Sequence, residues 1–321
     1  MNQPLLQTVG LKKYYKVKAG ELHAVDNINL SIQESQTLGV VGESGCGKTT
    51  LGRTILRLVP ATSGQILFRG ENILEYSGKQ MHEMRRNMQI VFQDPYSSIN
   101  PRMTVYNIIA EPIRSSGTRL EKQNMDKRVR KLMDTVGLAS RLIKAYPHEL
   151  DGGRRQRIGV ARALALNPKF IVCDEPVSSL DVSIQAQILN LLMDLQDEYG
   201  LTYMFITHDL SVVKHISDNI AVMYLGECVE HGPKDQIFAN PLHPYSQALL
   251  SAIPVPSLAA RSRKPYLIKG EVSSPINPKP GCRFAPRCPH VKPICTQGEL
   301  ELKEVTPNHF VRCTLYGSEK P

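Results

Sequence analysis

A glycine-rich stretch near residue 45 has the residue types and spacing to bind a phosphate chain. The sequence GESGCGKT at positions 42–49 fits the pattern G-x-x-x-x-G-K-[ST] in full. In this pattern the backbone N–H groups point at phosphate oxygens, Lys48 reaches the outer phosphates, and the Thr49 hydroxyl binds Mg²⁺. A glycine-rich turn without a ligand is the alternative. The residues assigned to phosphate binding are Gly42, Glu43, Ser44, Gly45, Cys46, Gly47, Lys48, Thr49 and Thr50.

Two neighbouring carboxylates supply the second part of a phosphate-transfer site. Asp174 and Glu175 follow the apolar run FIVC at positions 170–173. An Asp at the end of a buried strand can complete the ligand shell of Mg²⁺, and the next Glu can orient and polarise the attacking water. The alternative is an ordinary acidic strand end, but the phosphate-binding pattern upstream favours the catalytic interpretation.

The elements that must position these residues are short buried strands alternating with helices. Strands separated by helical patterns predict a parallel sheet covered on both faces. Residues 120–165 are charged and helix-rich, and we place an inserted helical subdomain at about residues 95–165. The predicted strands are Thr37–Val41, Phe170–Cys173, Tyr203–Thr207 and Ile220–Tyr224, and the predicted helices are Lys48–Leu58 and Ser183–Tyr199.

The distribution of proline divides the chain into two parts. Nine of the 22 prolines lie in residues 1–240 and thirteen lie in residues 241–321. Proline interrupts long helices and strands, so the last part predicts short strands, turns and loops. We therefore expect a domain at 1–235 and a smaller, irregular C-terminal domain at 236–321.

Composition excludes some classes of protein and leaves others open. With 41% hydrophobic residues the chain can build a core, so wholesale disorder is excluded. No apolar run approaches the ~18 residues that span a bilayer, and residues 1–10 lack the pattern of a secretory signal. We expect a soluble or peripheral protein of the cytosol. The net charge of +9 suits an anionic ligand, nucleic acid or a membrane surface equally.

The stretch LDGGRRQR at positions 150–157 resembles the LSGGQ signature of the ATP-binding cassette (ABC) ATPases. Further stretches resemble the same family in order and spacing. Gln93 matches its glutamine loop, residues 179–181 match the loop after the catalytic glutamate, and His208 matches its switch histidine. Tyr15 stands where the family stacks an aromatic ring on adenine, with Tyr14 as a substitute.

The resemblance implies a fold and a mode of assembly. It implies an α/β P-loop NTPase core with a mixed, mostly parallel sheet and the inserted helical subdomain. Two cassettes would form a head-to-tail dimer, with ATP between one phosphate loop and the other signature, here Asp151, Gly152 and Gly153. His208 would contact the γ-phosphate, and Gln93 would link Mg²⁺ to a transmembrane partner.

Asp151 departs from the family's signature. The family has a serine there, and an ionised carboxylate near phosphate oxygens is repulsive by about 1–4 kcal/mol at effective dielectric constants of about 20–80. Arg154 replaces the signature glutamine and can offset part of this charge. Our hypothesis is that the chain contributes a weakened signature to a heterodimer with one strong and one weak ATP site.

Three stretches resemble the oligopeptide/dipeptide importer branch of the family, and they lie at positions 96–101, 183–188 and 240–246. The resemblance implies two transmembrane permease subunits, a second, homologous ATPase subunit and an extracytoplasmic substrate-binding protein. The chain would be peripheral, at the cytoplasmic face of the membrane, without a nucleic-acid partner. Alternatives are an importer of nickel or another small solute, a soluble ABC ATPase acting on ribosomes or DNA, and a nucleotide-gated switch without turnover.

Four of the seven cysteines lie in the tail. Their spacing is C-x5-C-x6-C-x17-C, and they are Cys282, Cys288, Cys295 and Cys313. Four thiolates can hold a [4Fe–4S] cluster or Zn²⁺, and the paired spacing typical of zinc is absent. Some members of the importer branch carry such a set as an iron–sulfur site, which the resemblance therefore implies here. Zinc and free or disulfide-linked cysteines remain the alternatives.

Overall fold

The computed structural model describes residues 3–117, 121–252, 270 and 273–316. Short runs rich in β-branched and other apolar residues form the strands, as is typical of chain that is buried on one or both faces. The strands are β1 (Leu6–Val17), β2 (Gly20–Ile32), β3 (Thr37–Val41), β4 (Ser63–Phe68), β5 (Glu71–Asn72), β6 (Met88–Val91), β7 (Phe170–Asp174), β8 (Thr202–Ile206), β9 (Asn219–Tyr224), β10 (Glu227–Pro233), β11 (Lys303–Thr306) and β12 (His309–Val311).

Polar side chains begin several of the helices. Ser77, Thr104, Asp151 and Asp181 each accept a hydrogen bond from a backbone N–H of the turn that follows. None of the helices in the described ranges has the length and apolar character to cross a bilayer. The helices are α1 (Lys48–Ile55), α2 (Gly78–Met84), α3 (Pro95–Ser98), α4 (Val105–Ser115), α5 (Lys122–Thr135), α6 (Gly152–Leu164), α7 (Val182–Tyr199), α8 (Leu210–Ile216), α9 (Lys234–Ala239) and α10 (Pro244–Ser251).

The predicted elements are confirmed, with one shorter helix. The four predicted strands correspond to β3, β7, β8 and β9 within one residue at each end, and the second predicted helix to α7. The first predicted helix extended to Leu58, but α1 ends at Ile55. The reason is local: Arg57 has a φ of 51°, a left-handed conformation that cannot continue an α-helix.

The chain divides into two compact units. The first comprises Met1–Ile32, Thr37–Leu74 and Thr207–Pro321. It contains an antiparallel sheet in the order β2-β1-β4-β5, which the sequence did not predict, and strands in the order β11-β12-β10-β9-β3. Strands β3 and β9 are parallel, whereas β9, β10, β12 and β11 pair antiparallel. Strand β3 of this parallel pair ends at Val41, and the glycine-rich stretch starts at the next residue.

A buried cluster fills the first unit beneath that stretch. Val41 at the end of β3 packs in one hydrophobic cluster with Tyr224, Tyr245 and Phe284. The Tyr224 and Tyr245 ring centroids lie 4.7 Å apart, and the Phe284 ring lies 5.3 Å from Tyr224 and 5.5 Å from Tyr245. Aromatic rings at these separations contribute packing energy beyond their buried area. Residues after position 240 therefore help to build the core under the strand that leads to the phosphate loop.

The second unit comprises Gln33–Gln36 and Glu75–Ile206. Strands β6, β7 and β8 are parallel neighbours within it, in line with the parallel sheet predicted for this part of the chain. Helices α3 to α7 belong to the same unit. Strand β7 is completely buried, and its last residue is the first of the two carboxylates singled out from the sequence.

Candidate nucleotide site

The loop between β3 and α1 has a backbone that only glycine can adopt at two positions. Gly42 has a φ of 152°, and a Cβ there would lie 2.2 Å from the Met223 carbonyl oxygen. Gly47 has a φ of 102°, and a Cβ there would lie 2.0 Å from the Ala24 carbonyl oxygen. Any side chain at these positions would collide with backbone atoms. The two glycines therefore let the loop curl closely against the neighbouring strands.

Lys48 and the start of α1 form the cationic end of this loop. The Lys48 ammonium is buried and donates hydrogen bonds to the carbonyl oxygens of Gly42 and Glu43, at 2.8 Å and 3.0 Å. No side chain caps the N-terminus of α1, whose first turn contains Thr49 and Thr50. A helix N-terminus attracts anions through its free N–H groups and its dipole. The loop thus combines a lysine, threonine hydroxyls and backbone donors, as phosphate binding requires.

Cys46 lies inside the loop as a buried apolar residue. Its side chain is 3% exposed, and burial raises the pKa of its thiol, with the Lys48 ammonium acting in the opposite direction. Ser44 and Gly45 are exposed. The most exposed part of the loop therefore lies at these two residues, and Cys46 contributes packing.

The carboxylates of the second unit follow β7. Asp174 is 1% exposed at the end of the strand. Glu175 has a φ of 48°, and its backbone N–H donates to the Ile206 carbonyl oxygen at 2.9 Å. The Gln93 side-chain amide donates to the Glu175 carboxylate at 2.8 Å. The structure therefore brings together Gln93 and Glu175, which lie 82 positions apart.

A non-glycine residue with positive φ costs about 1–3 kcal/mol and tends to lie at functional sites. The strand end that carries Glu175 fits this pattern.

His208 follows β8 in a tight turn. The Asp209 N–H donates to the Thr207 hydroxyl at 3.0 Å, and the Asp209 carboxylate accepts from the Ser211 N–H at the start of α8 at 2.8 Å. His208 between them is exposed. The turn around His208 is therefore fixed by hydrogen bonds of Asp209, the next residue.

The signature residues form the start of α6. The Asp151 carboxylate accepts a hydrogen bond from the Arg154 N–H at 2.7 Å, and the Arg154 guanidinium lies 3.3 Å from the same carboxylate. Both side chains are about half exposed. Gly152 and Gly153 form the first turn of the helix. Asp151 is therefore a helix cap whose charge is offset locally by Arg154, as the sequence suggested.

Comparisons with known proteins bear on this arrangement. Residues 25–178 match the family model described as ABC transporter. The oligopeptide transport ATP-binding protein AppF of Bacillus subtilis is 49% identical over 98% of each chain. OppF of Salmonella typhimurium, with the same description, is 50% identical over 96% of this chain and 95% of its own. This chain belongs to the ATP-binding proteins of ABC transporters. The resemblance seen in the signature and glutamine loop is confirmed.

Solved structures agree with this family. The protein cbiO1 of Clostridium perfringens, part of the ABC transporter complex cbiONQ, superposes with a TM-score of 0.66 at 30% identity, over 74% of this chain and 92% of its own. The ATP-binding cassette MJ0796, solved as a post-hydrolysis dimer with ADP and Pi, gives 0.65 at 27% identity, over 71% and 98%. This ABC ATPase has the P-loop ATPase fold of these structures. As a member of the family, it is an ATP hydrolase.

The two candidate adenine-stacking tyrosines have different environments in this ABC ATPase. The Tyr14 hydroxyl donates to the Asp26 carboxylate, and its ring stacks on His23 with 3.8 Å between centroids. Burial, with the hydrogen bond to Asp26, raises the pKa of Tyr14. The Lys13 ammonium lies 4.6 Å from the centroid of the Tyr15 ring. Tyr14 is occupied by these contacts, so Tyr15 stays the candidate for adenine.

The four tail cysteines line one small cavity of about 10 Å³, together with His243 and Phe284. All four are free thiols. Burial raises the pKa of Cys282 to about 12, and the neighbouring thiols act in the same direction. In the parts of the chain that the structure describes, no group of three or more His, Cys, Asp or Glu side chains is placed to hold a metal ion.

The described residues thus contain no preformed site for the [4Fe–4S] cluster predicted from the sequence, or for zinc, its alternative. The physical reason is the cavity, which has room for about one water molecule.

Sequence reasoning missed two residues that contact the phosphate loop from beyond position 240. The Arg287 guanidinium pairs with the Glu43 carboxylate at 3.0 Å, and the Tyr245 hydroxyl accepts from the Glu43 N–H at 2.8 Å. Tyr245 lies in the stretch at 240–246 that resembles the importer branch, so a signal for it existed. Arg287 lies in the cysteine-rich region and carries no motif of its own.

Proposed function

We propose that this ABC ATPase is the ATP-hydrolysing subunit of an importer of oligopeptides or dipeptides. The observation that carries the proposal is the near full-length match to the two oligopeptide transport proteins and to the dipeptide transport ATP-binding protein DppF of Haemophilus influenzae, which is 47% identical over 97% of each chain. The match includes residues 229–295, which fit the model of the oligopeptide/dipeptide transporter C-terminal region. A generic cassette would not extend into this region.

The proposed chemistry is hydrolysis of the terminal phosphate of ATP. Lys48 binds the β- and γ-phosphates, and Thr49 and Asp174 hold Mg²⁺, with Gln93 as a further ligand. Phosphoryl transfer requires mainly positioning and charge stabilisation. Glu175 polarises the attacking water. A hydrogen bond of 2.8 Å from the Gln93 amide holds the Glu175 carboxylate in position for this role.

Further assignments complete the ATP site. His208 contacts the γ-phosphate, and Tyr15 stacks on adenine. The signature residues Asp151, Gly152 and Gly153 act on the ATP of a second, homologous ATPase subunit. Since Asp151 places a carboxylate where a neutral hydroxyl is expected, we assign a weaker site to that ATP. What supports this asymmetry is the exposed carboxylate at the start of α6.

The proposed assembly follows from the same family. Residues 1–235 form the nucleotide-binding domain, with its helical subdomain at 95–165, and residues 236–321 form the C-terminal extension. Two permease subunits carry the solute through the membrane, and the ATPase lies at their cytoplasmic face. A substrate-binding protein delivers the peptide from outside. An importer of nickel or of another small solute is the alternative within this branch.

The test starts from the tagged chain, purified from membranes together with its bound subunits and placed in lipid nanodiscs. We expect ATPase activity that rises when a peptide-loaded binding protein is added, and that is lost in Glu175→Gln. Stimulation by a nickel chelate and not by peptides would establish the alternative cargo. Purification without any membrane subunit would contradict the importer.

For the tail, the proposal is that Cys282, Cys288, Cys295 and Cys313 bind a [4Fe–4S] cluster, with zinc as the alternative. What supports it is the donor set, since four thiols separated along the chain line a single cavity. Binding would require the thiols to deprotonate and the cavity to widen. Anaerobically purified protein should absorb near 400 nm, about the usual position for such clusters. Colourless protein without iron would contradict the cluster, and stoichiometric zinc would establish the alternative.

A further inference from the structure

The second residue of the phosphate loop is held by a side chain from the C-terminal extension. The Nη1 atom of Arg287 donates to both carboxylate oxygens of Glu43, at 3.2 Å to Oε1 and 3.0 Å to Oε2. The same atom donates to the Tyr224 hydroxyl at 3.3 Å. The side chain of Arg287 is 9% exposed and that of Glu43 is 29% exposed. The pair is therefore largely shielded from water, where charge–charge contacts are stronger than at an open surface.

The backbone of the same loop residue is held from the same direction. The Glu43 N–H donates to the Tyr245 hydroxyl at 2.8 Å, and Tyr245 is fully buried. The Glu43 carbonyl oxygen accepts from the Lys48 ammonium at 3.0 Å. The N–H, the carboxylate and the carbonyl of Glu43 are thus each fixed, two of them by residues beyond position 240. The position of the loop depends on the extension as well as on its own glycines.

Aromatic packing around Phe284 supports the contacts of Arg287 and Tyr245 with Glu43. Arg287 ends the short turn Ala285–Arg287, directly after the buried Phe284. Phe284 packs against Tyr224 and Tyr245, the two residues whose hydroxyls contact Arg287 and Glu43 respectively. A side chain whose neighbours are locked by packing holds its partner in one geometry. The packed aromatic residues therefore hold Arg287 and Tyr245, and through them Glu43 of the phosphate loop, in one position.

We propose that Arg287 and Tyr245 are positioning residues for the phosphate loop. Arg287 neutralises the Glu43 carboxylate, which would otherwise repel the phosphates of ATP, and Tyr245 fixes the direction of the loop backbone. The proposal rests on ATP binding by this loop. It does not depend on the transported solute.

The test measures the affinity of the purified full-length chain for a fluorescent ATP analogue with Mg²⁺. Arg287→Ala leaves an uncompensated carboxylate in the loop and should weaken binding about tenfold. Adding Glu43→Gln to that variant removes the charge and should restore affinity to within about threefold of the wild type. Arg287→Lys keeps the charge and should bind better than Arg287→Ala.

Arg312 offers a matched control. It is also a buried arginine of the extension, and its guanidinium pairs with the Glu227 carboxylate at 3.2 Å and not with a side chain of the phosphate loop. Arg312→Ala should lower the melting temperature without a change in nucleotide affinity. Equal losses of affinity in Arg287→Ala and Arg312→Ala would overturn the proposal, because general destabilisation would then explain both.

Two further outcomes decide the matter. Failure of Glu43→Gln to restore affinity in the Arg287→Ala background would show that charge neutralisation is not the role of Arg287. If Arg287→Ala does not fold, Tyr245→Phe, which removes only a hydroxyl, should still weaken binding about threefold, and unchanged affinity there would overturn the proposal. A wild-type chain that fails to bind the analogue would instead contradict ATP binding itself.

Discussion

The Gln93 side-chain amide donates a hydrogen bond to the Glu175 carboxylate, with 2.8 Å between Nε2 and Oε2. Glu175 also has the left-handed backbone conformation that follows β7. A strained backbone and a side-chain hydrogen bond together fix the direction in which this carboxylate points. The relationship gives Gln93 a second proposed role beside binding Mg²⁺, namely orienting the residue assigned to polarise water.

Glu175→Gln should lower ATP turnover about 10²- to 10³-fold, because an amide cannot act as a general base. Gln93→Ala should lower turnover about tenfold by releasing the Glu175 carboxylate. Both variants should still bind ATP, which can be measured by nucleotide titration beside turnover in the assembled complex. Gln89→Ala is the control, since Gln89 lies on strand β6 and, among the described residues, its amide donates to the backbone carbonyl of Arg85 and not to a carboxylate. An equal loss in the control would contradict the role of Gln93.

Asp151→Ser should raise the ATP turnover of the assembled complex severalfold. Serine still caps α6, so the helix is preserved, while the carboxylate that we propose repels phosphate is removed. Asp126→Ser is the matched control, because Asp126 is an exposed acid paired with Arg130 at 2.8 Å on α5 and should leave turnover unchanged. Turnover that stays the same or falls in Asp151→Ser would argue against a weakened signature.

Gly47→Ala should abolish nucleotide binding and lower the free energy of unfolding by about 3 kcal/mol. A Cβ at this position would lie 2.0 Å from the Ala24 carbonyl oxygen, and the φ of 102° is unfavourable for alanine. Gly159→Ala is the control, since a Cβ there has no neighbour within 4 Å and α6 is a helix. That control should be neutral or more stable by about 0.5–1 kcal/mol. Denaturant unfolding and nucleotide titration distinguish the two variants.

Local signals explain which parts of this site could be predicted from the sequence. The phosphate loop and the pair Asp174–Glu175 each lie in one short stretch, where strand, turn and chemistry are coded by neighbouring residues. The antiparallel sheet was missed because β1 does not alternate regularly. Its pairing with β2 shifts register between Thr8 and Leu11 and again on both sides of Lys13, which breaks the period of two.

Long-range contacts explain the rest. Arg287 lies 244 positions from Glu43, and nothing in either local sequence indicates that they meet. The cysteine spacing predicted a metal site, but spacing alone carries no information on how closely the side chains pack. In the structure the same four thiols surround a cavity of about 10 Å³. A pattern of ligands predicts which residues converge, whereas the room left between them depends on the surrounding core.

His231 should make the protein less stable in acid. Burial lowers its pKa to about 4 from an ordinary value of 6.5, and the nearby charge of His309 acts in the same direction. The unfolded chain therefore binds one more proton than the folded chain between about pH 6.5 and 4. Linkage requires that the free energy of unfolding falls as the pH drops through this window, by on the order of 3 kcal/mol for this residue.

His231→Phe should flatten this dependence. The His231 Nε2 atom has no hydrogen-bond partner among the described residues, and its ring lies 6.0 Å from that of Phe310, so an aromatic ring can replace it. We expect an unchanged or higher free energy of unfolding at pH 7.5, about one unit above the ordinary pKa of histidine. At pH 4.5, about two units below that pKa, we expect a smaller loss of this free energy than in the wild type. Urea unfolding at both pH values measures the effect, with His82→Gln as the exposed control. A pH dependence equal to that of the wild type would show that His231 is not the titrating group.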